Sequence, residues 1–176
     1  MGSPQPAHAS IRADLLPGQR DWVELFTAGS EAVVDGIATA TIMVDEMEFE
    51  VAVDSLKIFA FAAKLSLRRY LSRSAALTVP TEPHSTRLAV DFQPEPGHAY
   101  EYSDKFTYRY ELEDGFYAGQ AEPEDVERWT FSSGGFWLGA GSENELAAVL
   151  VRLPPEDMDL LPRRRRGLFG RFTERS

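Results

Sequence analysis

Two β-prone runs, Val33 to Val44 and Met47 to Val53, are separated only by Asp45-Glu46, and this arrangement constrains the fold more than any other feature of the chain. Folded as a hairpin on that pair, Val44 faces Met47, Ile42 faces Phe49, Ala40 faces Val51 and Ala38 faces Val53, all apolar, while Met43-Glu48 and Thr41-Glu50 fall on the opposite face. Successive strand residues alternate faces, so one side is buried and the other wet. A one-residue slip would put glutamates in the core, which fixes the register. Asp-Glu lacks the glycine that a two-residue turn usually uses to reach positive φ, so the loop is expected to be longer than two residues.

A second period-two run follows. Tyr100, Tyr102, Phe106, Tyr108, Tyr110 and Leu112 occupy even positions, with Glu101, Ser103, Lys105, Thr107, Arg109, Glu111 and Glu113 between them. Glu113-Asp114-Gly115 reads as the turn that ends it. Burial of this stripe in the core is one outcome. Tyrosine also suits half-wet positions, because its ring packs while its hydroxyl meets water. Tyr100, Tyr102, Tyr108 and Tyr110 are therefore a candidate ligand or partner surface.

Helices are expected at three places. Asp54 stands as an N-cap before Leu56, Phe59, Ala63, Leu67, Tyr70 and Leu71, spaced by three and four, which predicts a main helix over 55–73. Its basic residues Lys64, Arg68, Arg69 and Arg73 would complement the negative end of the helix dipole. Acidic residues around Pro123 predict a short helix near 124–130. Ser142-Glu143-Asn144-Glu145 has the form of a capping box and predicts a C-terminal helix over 143–152, stopped by Pro154-Pro155. Asp21 to Phe26 alternates in part and reads as a short strand or one helical turn, and short strands are expected at Thr86 to Phe92 and Phe136 to Leu138. The expected fold is a single α+β domain over residues 11–160, an antiparallel sheet of five to six strands packed against the main helix and the C-terminal helix.

With 176 residues, 43% hydrophobic and 11% aromatic, the chain can bury a substantial core. No cysteine is present, which excludes disulfides, thiolate metal ligands and cysteine nucleophiles. No uninterrupted apolar run reaches the length of a membrane span, and Met1 to Ala9 reads as a disordered lead within residues 1–10 rather than a secretory signal. A cytoplasmic location is expected. Of 18 basic residues only Lys57, Lys64 and Lys105 are lysine, a bias that points to a GC-rich bacterial source.

Charge divides the chain. Met1 to Pro162 carry 12 Lys/Arg against 27 Asp/Glu, a net −15, whereas Arg163 to Ser176 carry six Arg against one Glu, a net +5. Residues 161–176 thus read as a separate basic tail. On a helix, Leu168, Phe169 and Phe172 share a face, with Arg163, Arg164, Arg165, Arg166 and Arg171 around them. The motif resembles the short amphipathic membrane-targeting tails of bacterial cell-division ATPases of the Min system and of the actin-like division protein, which also combine basic residues with Gly, Leu and Phe. It covers about ten residues, and this chain departs from it in carrying Gly167 and Gly170, each of which costs about 1 kcal/mol of helix relative to alanine. The resemblance implies reversible adsorption to an anionic membrane surface.

Catalytic signals are sparse. His8, His84 and His98 stand at no metal-ligand spacing, Ser132-Ser133-Gly134-Gly135 lacks the nucleophile-elbow pattern, and no glycine-rich loop precedes a helix. Glu46, Glu48 and Glu50 on the wet side of the hairpin form an acidic surface rather than a calcium loop. No cofactor and no metal is expected. The acidic body repels nucleic acid, so such binding is unlikely and would have to use the tail. The leading reading is a non-enzymatic partner-binding or adaptor protein, whose acidic body contacts a protein and whose basic tail makes a second contact, at the inner face of the membrane in one version. The alternatives are a small hydrolase or ligand-binding enzyme with an aromatic-lined cleft, using His98 and Glu101 as acid and base, and tail-mediated nucleic-acid binding.

Overall fold

A computed structural model describes residues 11–19, 21–27, 37–73, 77, 90, 92–102, 106–131, 136–143 and 145–161. The hairpin is its most regular part. β3 (Thr39–Val44) and β4 (Met47–Ala52) pair in the expected register, from Val44 opposite Met47 to Thr39 opposite Ala52. Ala40, Ile42, Val44, Met47, Phe49 and Val51 are buried. The turn is two residues after all, because Asp45 itself takes the left-handed conformation (φ 52), which aspartate tolerates better than most residues.

The predicted main helix is instead a strand. β5 (Lys57–Ser66) follows a tight turn in which Leu56 is left-handed (φ 55), then a single 3-10 turn at Leu67–Arg69 leads to the two-residue β6 (Leu71–Ser72). The three-and-four spacing was coincidental. Phe61, Ala63, Leu65 and Leu67 are buried at a spacing of two, with Ala62, Lys64 and Ser66 on the other side. β5 lies between β2 (Trp22–Thr27) and β4, antiparallel to both. A strand paired on both edges satisfies its whole backbone and overrides local helix preference. The basic residues cap no helix: Arg68 pairs with Asp21 at 2.6 Å and Arg69 with Glu46 at 3.0 Å.

The C-terminal helix over 143–152 is likewise β12 (Leu146–Arg152), and the predicted capping residues lie before it in the connection from β11 (Phe136–Ala140). Ala147 to Val151 are all buried. A strand covered on both faces reads as an unbroken apolar run, which periodicity cannot separate from a helix. The helix near 124–130 reduces to a 3-10 turn at Pro123–Asp125 followed by β10 (Arg128–Phe131). The one α-helix among the described residues, α1 (Pro155–Leu160), starts at the proline pair taken as a stop. Pro155 fits there because the first helical turn needs no amide donor.

The expected single sheet is two mixed sheets of six strands. Sheet I runs β1 (Ile11–Leu15), β2, β5, β4, β3, β7 (Ala99–Tyr102), and sheet II runs β10, β11, β12, β9 (Gly115–Gly119), β8 (Tyr108–Leu112), β6. All pairings are antiparallel except β3 with β7 and β6 with β8. The main core joins the two sheets and centres on Phe49, Phe61 and Phe136, whose rings lie 5.1 to 5.8 Å apart. A second cluster, Leu112, Tyr117, Val126, Trp129, Ala148 and Leu150, covers the far face of sheet II. Sheet II is thus apolar on both sides. Sheet I is apolar inside and largely polar outside.

Candidate functional site

Three surfaces carry the polar chemistry: a junction between the sheets, the far face of sheet II and the outer face of sheet I. The junction grows from the left-handed turn. Asp45 Oδ2 accepts the amide of Phe106 at 2.8 Å and faces Arg109 Nη2 at 3.2 Å, while Glu46 faces Arg109 Nε at 3.3 Å, Arg69 Nη1 at 3.0 Å and the Tyr70 hydroxyl at 3.0 Å. Asp45, Glu46 and Arg109 are about nine-tenths buried. Two carboxylates with Arg109 between them and Arg69 at the exposed side of Glu46 are held by mutual compensation, since a member left alone in so dry a place would be a buried charge. Burial, reinforced by Glu46, pushes the Tyr70 phenol well above its ordinary value. The group ties β3–β4 of sheet I to β8 of sheet II, and Glu46, expected on the wet face with Glu48 and Glu50, is drawn into it.

The tyrosine stripe is divided by this junction. Tyr100 and Tyr102 belong to β7 at the edge of sheet I, and Tyr108 and Tyr110 to β8 in sheet II. Tyr100 packs against Phe92 with the rings tilted and 4.7 Å apart, and its hydroxyl accepts the Glu95 amide; Tyr102 is 40% exposed. On sheet II the register sets Phe131, Trp137, Leu150, Tyr117, Tyr110 and Leu71 in one row across all six strands. The Tyr110 hydroxyl donates to Glu122 at 2.8 Å, and the Arg73 guanidinium lies 5.0 Å above its ring. Partial burial and then the Glu122 carboxylate raise the Tyr110 pKa. Tyr117, whose hydroxyl donates to the carbonyl of Ala121 at 2.6 Å, is raised further, first by burial. The four tyrosines therefore form two separate places rather than one cleft.

The acid–base pair of the enzymatic alternative is also separated. His98 Nδ1 lies 3.4 Å from Glu95, both well exposed, while Glu101 sits on the outer face of β7 opposite Met43. Among the described residues no group of three or more His, Asp or Glu could hold a metal ion. His8, His84, Ser132 to Gly135, the predicted strand from Thr86 to Phe92 apart from Val90 and Phe92, and the basic tail residues Arg163, Arg164, Arg165, Arg166, Leu168, Phe169, Arg171 and Phe172 lie outside the described residues.

The outer face of sheet I carries two exposed aromatics. Trp22 and Phe26 on β2 remain 39% and 38% exposed. The register places Phe26 beside Ala62, Ala62 beside Glu48, Glu48 beside Met43 and Met43 beside Glu101. Glu24 stands between the two aromatics, opposite Lys64. Sequence reasoning found Glu48 and Glu50 here but missed Trp22 and Phe26. Their signal was present, since Trp22, Glu24 and Phe26 alternate with Val23 and Leu25 and only one of those two sets can face the core. The junction of Asp45 with Arg109 has no local signal, because a loop residue of the hairpin and an odd position of the tyrosine run are brought together only by the meeting of the two sheets.

No protein-family model matches the chain, and no curated protein matches it. Among the described residues no helix is long and apolar enough to cross a membrane.

Proposed function

We propose that this protein is a non-enzymatic adaptor: the outer face of sheet I docks a basic protein partner, and the basic segment 163–176 makes a second contact with an anionic membrane surface. The observation that carries the reading is the pairing of exposed Trp22 and Phe26 with the carboxylates of Glu24, Glu48 and Glu101 on one sheet face. Large aromatics supply most of the binding energy at protein interfaces, and a surrounding charge of one sign selects the partner and speeds encounter. The segment adds Leu168, Phe169 and Phe172 within an arginine cluster, which suits weak adsorption to anionic lipid. Two weak contacts on one chain act together by avidity.

A photo-crosslinking residue in place of Phe26, introduced in the source cells, is expected to trap a discrete basic protein that the same residue at Leu71, on sheet II, does not trap. Identical adduct patterns from the two positions would contradict the proposed docking face.

A further inference from the structure

We infer that the outer face of sheet I is also the docking site of the chain's own basic segment, Arg163 to Phe172, so that the segment and a protein partner compete for one surface. This deepens the adaptor reading and rests on it for the segment's second role at a membrane.

Charge complementarity is the first argument. By the strand register, the outer face of sheet I presents Asp14, Glu24, Glu48, Glu50 and Glu101 against Arg12, Lys57 and Lys64. Arg12 is already turned toward α1, 3.6 Å from Glu156 and 3.8 Å from Asp157. Glu24, Glu48 and Glu101 make no ion pair or side-chain hydrogen bond with the described residues. Opposite them the segment offers five arginines with Leu168, Phe169 and Phe172 interspersed. Trp22 and Phe26, flanking Glu24 along β2, give its apolar side chains something to cover while the guanidiniums meet carboxylates, and arginine also stacks on aromatic faces.

The second argument is position. Leu161, the last described residue, is buried, and α1 before it is fixed to β1 by the hydrogen bond from the Ala13 amide to Asp157 at 2.9 Å. The segment therefore leaves the body at the β1 edge of sheet I. From there β2 is one strand away and β4 three, about 15 Å at ordinary strand spacing. Ten residues extend to about 33 Å. The segment reaches this face without crossing the molecule. A short tether also raises its effective concentration to about the millimolar range, enough to populate a contact too weak to hold a free peptide.

Since the two occupants exclude each other, linkage is reciprocal. A partner that takes the sheet face releases the arginines for the membrane, and a membrane that takes the arginines uncovers Trp22 and Phe26. The protein would engage lipid most strongly when its partner is bound.

The absence of cysteine allows a direct test on the full chain. A nitroxide at Thr173→Cys is expected to broaden the backbone amide resonances of Trp22, Glu24, Phe26 and Glu48 several-fold more than those of β10 to β12. The broadening should vanish in about 1 M salt, where charges farther apart than about 3 Å are screened, and in the single exposed charge reversal Glu48→Lys it should weaken. Trp22→Ser with Phe26→Ser should abolish it and raise co-sedimentation with anionic vesicles. No broadening of sheet I, or broadening centred on sheet II, overturns the inference. Equal broadening when label and isotope are on different molecules also overturns it, by making the occupant a second copy. Vesicle binding by the Trp22→Ser, Phe26→Ser chain, in which the segment is released, reads the membrane contact separately: its absence there removes the membrane role, while broadening in the parent chain leaves the docking in place.

Discussion

Arg109 is the residue on which the join between the sheets depends. Its guanidinium faces both Asp45 and Glu46 in a nearly dry junction, so Arg109→Ala removes the charge the two carboxylates share and leaves Glu46 on Arg69 and the Tyr70 hydroxyl. A loss of about 3 kcal/mol is expected, in the range for breaking a buried pair from one side. Arg109→Lys keeps the charge without the fork that reaches two acceptors, and is expected to recover only part of that loss. Denaturant midpoints of the two variants check both statements; equal stability of Arg109→Ala and the parent would show the junction to be solvated. The buried phenols have the opposite consequence for pH. Tyr70 and Tyr117 hold their protons more tightly folded than unfolded. The unfolded chain therefore releases them first, near the ordinary value of about 10, so their contribution is fully present below that pH and is lost as pH rises above it. Thermal midpoints measured from neutral pH upward should hold level with respect to these groups and then fall beyond about pH 10. Tyr117→Phe and Tyr70→Phe should lessen that alkaline fall.

At the scale of the element, a strand edge explains α1. β1 is the edge of sheet I, and the Asp157 carboxylate accepts the amide of Ala13 there. An unpaired strand edge invites pairing with another chain, and this contact closes part of it. Asp157→Ala is expected to cost about 1 to 3 kcal/mol by leaving a buried amide without its acceptor, and Asp157→Asn less; hydrogen exchange at Ala13 reports the loss. Gly119 marks another tight place, since a side chain there would meet the Tyr117 hydroxyl. Gly119→Ala should destabilise by about 1 to 3 kcal/mol through overpacking. Strand identity was legible in the sequence where one face is wet. The β3–β4 hairpin shows its pattern in full, down to the register. It was illegible at β5 and β12: β5 interleaves alanines and a lysine so that a three-and-four spacing competes with its true alternation, and β12 has no wet face to reveal a period. Both receive their strand character from neighbours on either side, which local sequence does not record. Within the candidate sites, Glu48 was readable from the hairpin alone. Trp22 was readable in the alternation of Trp22, Glu24 and Phe26 with Val23 and Leu25, whereas Arg109 became meaningful only once the β3–β4 turn of sheet I met it.

Across the whole molecule charge is strongly divided, −15 in residues 1–162 and +5 in 163–176. A body of that charge repels anionic lipid, so the proposed membrane contact falls to the basic segment. Each arginine close to an anionic surface contributes about 1 kcal/mol, and the three apolar side chains about 1.5 to 3 kcal/mol each if fully buried. Ordering of the segment and repulsion of the body oppose these gains, so the proposed contact is reversible and weakened by salt. The most direct test is co-sedimentation of the full chain with neutral and anionic vesicles, at low salt and at about 1 M salt, beside a full chain in which Arg163, Arg164, Arg165 and Arg166 are all replaced by Ser. The account predicts sedimentation with anionic vesicles alone, lost in high salt and lost in the substituted chain. Equal sedimentation of both chains, or none of either, would contradict a membrane contact made by this segment.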